Sequence, residues 1–430
     1  MLGLYSLLLT IAMLLMSPLF LLRRAKYASG FRERLGNYPE FKHDDRNVIW
    51  LHCVSVGETN AARPLVDDLI QKFPLYRIVI STTTQTGQEL ARNIFRDKVD
   101  RVFYFPFDWK FSVRRALRTF KPSLVLLMET EIWPRLIGEA KRSGCEVAIV
   151  NGRLSQRSLD RYSSVRPIVS RVLQSVDLAL MQNAKDAERI ESLGIDASKV
   201  FVSGNLKFDL SSTSDEIELT ERLKDRFQFD GSRPLIVAAS THEPEEKWIV
   251  ESLKERLRHE SRLVIAPRHP ERFQAVSDLL KNSGQRYVRR SDAPSDRDRS
   301  ADIVLLDSIG ELRAVFPLAE IVFVGGSLIS HGGQSILEPA SAGVAIVTGH
   351  YTQNFNDAVQ LFRSADALIQ LPESNDENAI LDMLSAAFDE LLHDPSKRQD
   401  FGSRASALMK ANRGATAKTV TELKQLIGAR

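Results

Sequence analysis

From residue 47 onward, short apolar runs rich in β-branched side chains alternate with longer stretches of helical periodicity, and this leaves few folds open. The runs at 48–54, 77–81, 101–105, 123–128, 146–150, 177–181 and Val200–Val202 read as strands. Amphipathic stretches such as 86–95 and 133–142 read as helices between them. A strand followed by a helix and a second strand of the same sheet makes a right-handed crossover. Unbroken apolar strands further imply a parallel sheet covered on both faces. The polar segment 209–232 interrupts the pattern, which resumes at 234–239, 262–266, Tyr287–Arg289, 303–306, Ile321–Val324 and 344–348. A chain of 430 residues is long enough for two domains. The expectation is an α/β fold of two Rossmann-like halves, 26–210 and 211–430, facing a cleft favoured for ligands. The helical tail from about residue 396 belongs to the second half and could pack back across both.

Leu2–Leu22 carries no charged residue and suffices for one helical crossing of a bilayer, which takes about 20 residues. Arg23, Arg24, Lys26, Arg32 and Arg34 follow it, which places the rest of the chain in the cytoplasm. No Lys or Arg precedes the run, which argues against a cleaved signal peptide. The run also shows no polar side, so residues 1–25 read as a membrane anchor, a pattern that favours spanning over lying flat and leaves both open. The basic cluster could also hold the protein near anionic head groups. A net charge of +3 gives no sign of a nucleic-acid partner. Cys53 and Cys145 offer neither a disulfide framework nor a metal spacing and read as small core residues.

Ligands of open α/β sheets bind outside the carboxyl ends of the strands. Four polar clusters in the first half fall there: 55–58, 81–87, 129–131 and 151–153. Glu58 follows the 48–54 strand at the mouth of a helix expected over about 59–72. The free N–H groups and positive dipole end there favour its ionised form, making it a ready proton acceptor. Thr84 and Thr86 serve equally well as helix caps. Glu129 ends a buried strand and needs a partner, for which Arg153 and Lys207 are the candidates.

The second half offers Ser240-Thr241-His242-Glu243, Arg268-His269, Gly325-Gly326-Ser327 and a segment from Gly332 to Glu338. Paired glycines permit close approach, and their backbone N–H groups can bind a phosphate. Arg268 adds a fixed positive charge, and Glu338 can accept from ribose hydroxyls. There is no G-x-x-x-x-G-K-[ST] loop and no G-x-G-x-x-G opening the first unit. The histidines are scattered, so no metal and no cofactor are expected. The pattern fits a nucleotide-sugar donor site.

Five motifs then coincide: Val54-Ser55-Val56-Gly57-Glu58, Met128-Glu129-Thr130-Glu131-Ile132-Trp133-Pro134, Asn205-Leu206-Lys207-Phe208-Asp209, Pro267-Arg268-His269-Pro270-Glu271-Arg272-Phe273 and Gly325-Gly326-Ser327-Leu328. In these, and over essentially its whole length, the chain resembles the 3-deoxy-D-manno-oct-2-ulosonic acid (Kdo) transferases of lipopolysaccharide assembly. These are inverting glycosyltransferases of the two-domain GT-B fold. The resemblance implies a CMP-Kdo donor on the second domain. It implies a lipid A precursor (lipid IVA) acceptor on the first, at the inner face of the cytoplasmic membrane. It implies that Glu58 is the general base and that Glu129 and Lys207 support the transition state. Arg268, His269, Ile309, Gly310, Glu311, Ser335, Ile336, Leu337 and Glu338 match CMP-binding positions. Ser335 stands where an Asn is expected, and a hydroxyl offers fewer donors than an amide. A nucleotide-sugar epimerase of similar fold is the alternative, but it has no use for an anchor. A non-catalytic binding protein would not need Glu58, Glu129 and Arg268 together.

Overall fold

The structure, a computed structural model, describes residues 2–22, 29–210, 213–257 and 259–428. Two compact units divide the chain: Met1–Asp209 with Asn412–Arg430, and Leu210–Ala411.

The first unit is built on seven strands: β1 Asn47–Cys53, β2 Tyr76–Thr82, β3 Arg101–Tyr104, β4 Leu124–Met128, β5 Glu146–Gly152, β6 Leu178–Met181 and β7 Val200–Val202. All pair in parallel, in the order β3-β2-β1-β4-β5-β6-β7. Every strand expected here forms. β1 shows why its sequence is apolar without alternation. Ile49, Leu51 and Cys53 pack into one core cluster and Val48 and Trp50 into the other, so both faces are buried. Trp50 lies among Phe103, Phe105 and Phe120, and its indole N–H donates to Ser81 Oγ at 2.7 Å. Each such apolar side chain contributes about 1.5–3 kcal/mol through burial.

The tail departs from the expected partition. The helix Ala415–Gly428 belongs to the first unit, not the second. Its apolar stripe of Ala415, Val420 and Leu423 completes the core cluster around Leu65 and Leu69. The Asp209 carboxylate accepts the N–H groups of Gly414 at 2.6 Å and Thr416 at 2.5 Å, which fixes the start of that helix.

The second unit repeats the architecture with β8 Leu235–Thr241, β9 Arg262–Pro267, β10 Tyr287–Arg289, β11 Ile303–Leu305, β12 Ile321–Val324, β13 Ala345–Thr348 and β14 Ile369–Gln370. The order is β10-β11-β9-β8-β12-β13-β14, again all parallel. Only β14 was not anticipated; it is a half-buried pair of residues at the sheet edge, too short to leave a pattern.

Leu2–Leu22 is one helix, but among the described residues no helix is long and apolar enough to cross a membrane. It also has a polar side, contrary to the sequence reading. Ser6 Oγ accepts from Arg135 Nε at 2.8 Å, and Thr10 Oγ1 accepts from Trp109 Nε1 at 3.1 Å. Leu7, Ile11, Leu14 and Leu15 are instead 44–75% exposed. Arg23, Arg24 and Lys26 of the basic cluster lie outside the described residues, as do Ser211 and Ser212 of the linker.

Candidate active site

Strand order reverses beside the first strand of each sheet, and ligands of this fold class bind outside the carboxyl ends at such a point. In the first unit the reversal lies between β1 and β4, so the segments after these strands, carrying Glu58 and Glu129, flank it.

Glu58 sits in the first turn of a short helix, Val56–Ala61, which starts three residues earlier than expected, with Ser55 at the N-cap position but no side-chain cap. Its side chain folds back to accept the Val54 N–H at 2.7 Å and the Ser55 hydroxyl at 3.3 Å. It is only 6% exposed. Burial, and next the charge of Glu129, push its pKa up from 4.5 to about 8. The helix start therefore does not set its charge state. Desolvation and a neighbouring carboxylate outweigh the dipole and the two hydrogen bonds. Glu131 is also raised, first by burial and then by Glu129. Behind this turn, the backbone of Gly87 packs closely: a Cβ there would lie 2.8 Å from Thr84 Oγ1 and 3.4 Å from the Ser55 carbonyl carbon. Thr84 caps its helix by accepting the Gly87 N–H at 3.1 Å.

Glu129 takes a left-handed backbone, φ 54°, which costs a non-glycine residue about 1 kcal/mol or more. Its N–H donates to the Val150 carbonyl at 2.9 Å, and its carboxylate accepts from Lys207 Nζ at 3.1 Å. Lys207 rides on the short turn Leu206–Phe208. Asn151, fully buried and itself at φ 54°, accepts the Leu206 N–H at 2.9 Å, and Asn205 Oδ1 accepts the Lys207 N–H. Thr130 ties the neighbouring turns together, donating to the Arg153 carbonyl at 2.6 Å and accepting the Arg153 N–H at 3.0 Å. Asn151 thus fixes where Lys207 stands. Its sequence signal is slight: an Asn at a strand end, one of the few side chains that tolerate left-handed φ.

In the second unit the reversal lies between β8 and β12. Gly325-Gly326-Ser327 follows β12 as expected, but its N–H groups do not face a ligand. Glu245, fully buried, takes them: its carboxylate accepts from Gly326 at 2.7 Å, Ser327 at 3.0 Å, Leu328 at 3.0 Å and His242 at 2.9 Å. A Cβ on Gly325 would come within 2.7 Å of the Ser240 carbonyl oxygen, so the β8 and β12 ends touch through bare backbone. Glu245 was not anticipated as a site residue.

The other expected donor positions are distributed as follows. Arg268 and His269 are exposed after β9, and the Arg268 N–H donates to the Thr241 carbonyl at 3.0 Å. Ile309 and Gly310 lie on an open turn, Ile309 being 81% exposed, while Glu311 pairs with Arg290 at 2.9 Å and accepts from Ser308 Oγ. Ser335 donates to Glu338, and its oxygen accepts the Leu337 N–H at 3.3 Å. Ile336 and Leu337 are buried. Among the described residues, no group of three or more His, Cys, Asp or Glu side chains could hold a metal ion.

Residues 29–210 match the family described as 3-deoxy-D-manno-octulosonic-acid transferase (kdotransferase). The 3-deoxy-D-manno-octulosonic acid transferase of Haemophilus influenzae is 33% identical over 403 residues, which cover 93% of this chain and 92% of that one. This chain belongs to the Kdo transferase family. The Bordetella pertussis transferase is 31% identical over 390 residues, covering 88% and 87%. The chain is thus a glycosyltransferase, and Kdo is the sugar its family transfers. A UDP-GlcNAc 2-epimerase from Neisseria meningitidis superposes with a TM-score of 0.59 over 88% of this chain and 100% of that one. At 14% identity that likeness is one of fold.

Proposed function

We propose that this Kdo transferase moves Kdo from CMP-Kdo to lipid IVA, with inversion, in lipopolysaccharide core synthesis. The observation that carries the reading is Glu58: a nearly buried carboxylate at the switch point, its conjugate acid poised near pH 8. A base with that pKa is matched to taking a proton from a sugar hydroxyl near neutral pH.

The acceptor oxygen attacks the anomeric carbon of Kdo, and the bond from that carbon to the phosphate oxygen breaks. CMP leaves with the electron pair, and the hydroxyl proton passes to ionised Glu58. General-base help of this kind is worth about 10²–10⁴-fold in rate. Lys207, held by Glu129 and Asn151, stabilises charge as it develops, and Arg268 does so at the phosphate. Glu338 accepts from the ribose hydroxyls, with Ser335 orienting its carboxylate in place of the expected Asn. His269, Ile336, Leu337 and the 309–311 turn complete the donor subsite, which needs no metal.

The exposed leucine face of the first helix supports association with the inner face of the cytoplasmic membrane by lying on it. Its polar side is engaged with the first unit.

Purified protein incubated with CMP-Kdo and lipid IVA tests the proposal. The lipid should gain the mass of one or more Kdo units, with one CMP released per unit. CMP release without lipid mass gain would refute the acceptor.

A further inference from the structure

His242, at the carboxyl end of β8, is 6% exposed, and its Nε2 has no hydrogen-bond partner. A buried polar atom left in that state destabilises the fold unless a ligand satisfies it. The surroundings indicate which ligand. The ring of His331 lies 4.6 Å away and that of His269 5.2 Å away, each edge-on. Arg268 and Arg272 add positive potential. Arg272 is engaged by Glu243 and Glu246. The other carboxylate close by, Glu245, spends its oxygens on four backbone N–H groups, one of them His242's own. The Gly326 backbone can approach the ring this closely only because it has no side chain: a Cβ there would sit 3.2 Å from Cδ2 and 3.4 Å from Nε2, with Gln334 Nε2 3.6 Å away on the same side. The N–H groups of Gly326, Ser327 and Leu328 are already used, so an anion at this strand end must find side-chain donors.

We propose that His242 binds the donor phosphate directly, its Nε2 donating to a phosphate oxygen above Gly326, with His269 and His331 flanking the same anion. The assignment rests on the CMP-Kdo reading above. In the empty site, burial and then His331, His269, Arg268 and Arg272 lower the His242 pKa to about 4, so the ring is neutral there. A bound phosphate opposes those same charges and draws a proton into the imidazole cluster.

The test compares CMP with cytidine, by calorimetry, on wild-type and His242→Gln protein. The variant should bind CMP about tenfold or more weakly and cytidine unchanged, since only the charge-assisted contact is removed. CMP affinity within twofold of wild type would overturn the assignment. Should the variant fail to fold, wild-type protein decides alone. At about pH 7.5, where CMP is already a dianion because its second phosphate pKa is about 6, titrations in buffers of different ionisation heat should show proton uptake with CMP and none with cytidine; equal uptake would overturn the assignment. Wild-type protein that binds neither ligand would refute the donor reading itself.

Discussion

Replacing Glu58 by Gln should make the protein more stable, and increasingly so as the pH rises. In the unfolded chain the carboxyl ionises near 4.5, whereas in the folded chain it holds its proton to about pH 8. Between those values folding must retain a proton that the unfolded chain releases, so wild-type stability falls as pH rises. One pKa unit is worth 1.36 kcal/mol, and the gap of 8 less 4.5 gives a ceiling of about 5 kcal/mol. Gln is never charged and avoids this loss. Its carbonyl can still accept the Val54 N–H, and its amide can donate to Ser55, at a cost of about 1 kcal/mol for imperfect geometry. The expected gain is therefore about 2–4 kcal/mol at pH 8, close to zero at pH 5. For a unit of this size that is roughly 5–10 °C in melting temperature. Melting both proteins at pH 5, 6, 7 and 8 measures it. A variant that melts at or below wild type throughout would mean that Glu58 is ionised in the folded state and that the helix start, not burial, governs it.

The same shift predicts that turnover at saturating substrates climbs with pH and reaches half its plateau near pH 8, because the base must first lose its proton; a flat profile from pH 6 to 9 with chemistry rate-limiting would count against it. Asn151→Ala removes the acceptor for the Leu206 N–H and places Ala at a left-handed φ, so it should cost about 1–3 kcal/mol and lower turnover as Lys207→Ala does. CMP affinity should stay unchanged, and a calorimetric shift there would contradict the positioning role. Glu245→Ala leaves four backbone N–H groups without their acceptor and should cost more than about 3 kcal/mol and abolish CMP binding; a stable variant that binds CMP normally would show that other contacts hold the Gly-Gly-Ser turn.

The strands were legible because a parallel strand covered on both faces leaves a continuous apolar run, as β1 does. The location of Glu58 followed from that run and the glycine after it. Its charge state did not, because it depends on how deeply other elements bury it and on Glu129, 71 positions further along the chain. Glu245 was illegible for a related reason. A glutamate in the first turn of a helix reads as a surface dipole charge, yet three of its partners lie 81 to 83 positions away. The helix Ala415–Gly428 was evident as a helix; which unit it completes is decided by a core cluster drawn from segments more than 200 residues earlier.

The most direct test of the central claim is a single-turnover measurement of Kdo transfer by Glu58→Gln protein, with CMP-Kdo affinity read on the same preparation. Transfer should fall by at least about 10²-fold, with donor affinity within twofold of wild type. Substantial transfer by a folded, donor-binding variant would remove Glu58 from the chemistry.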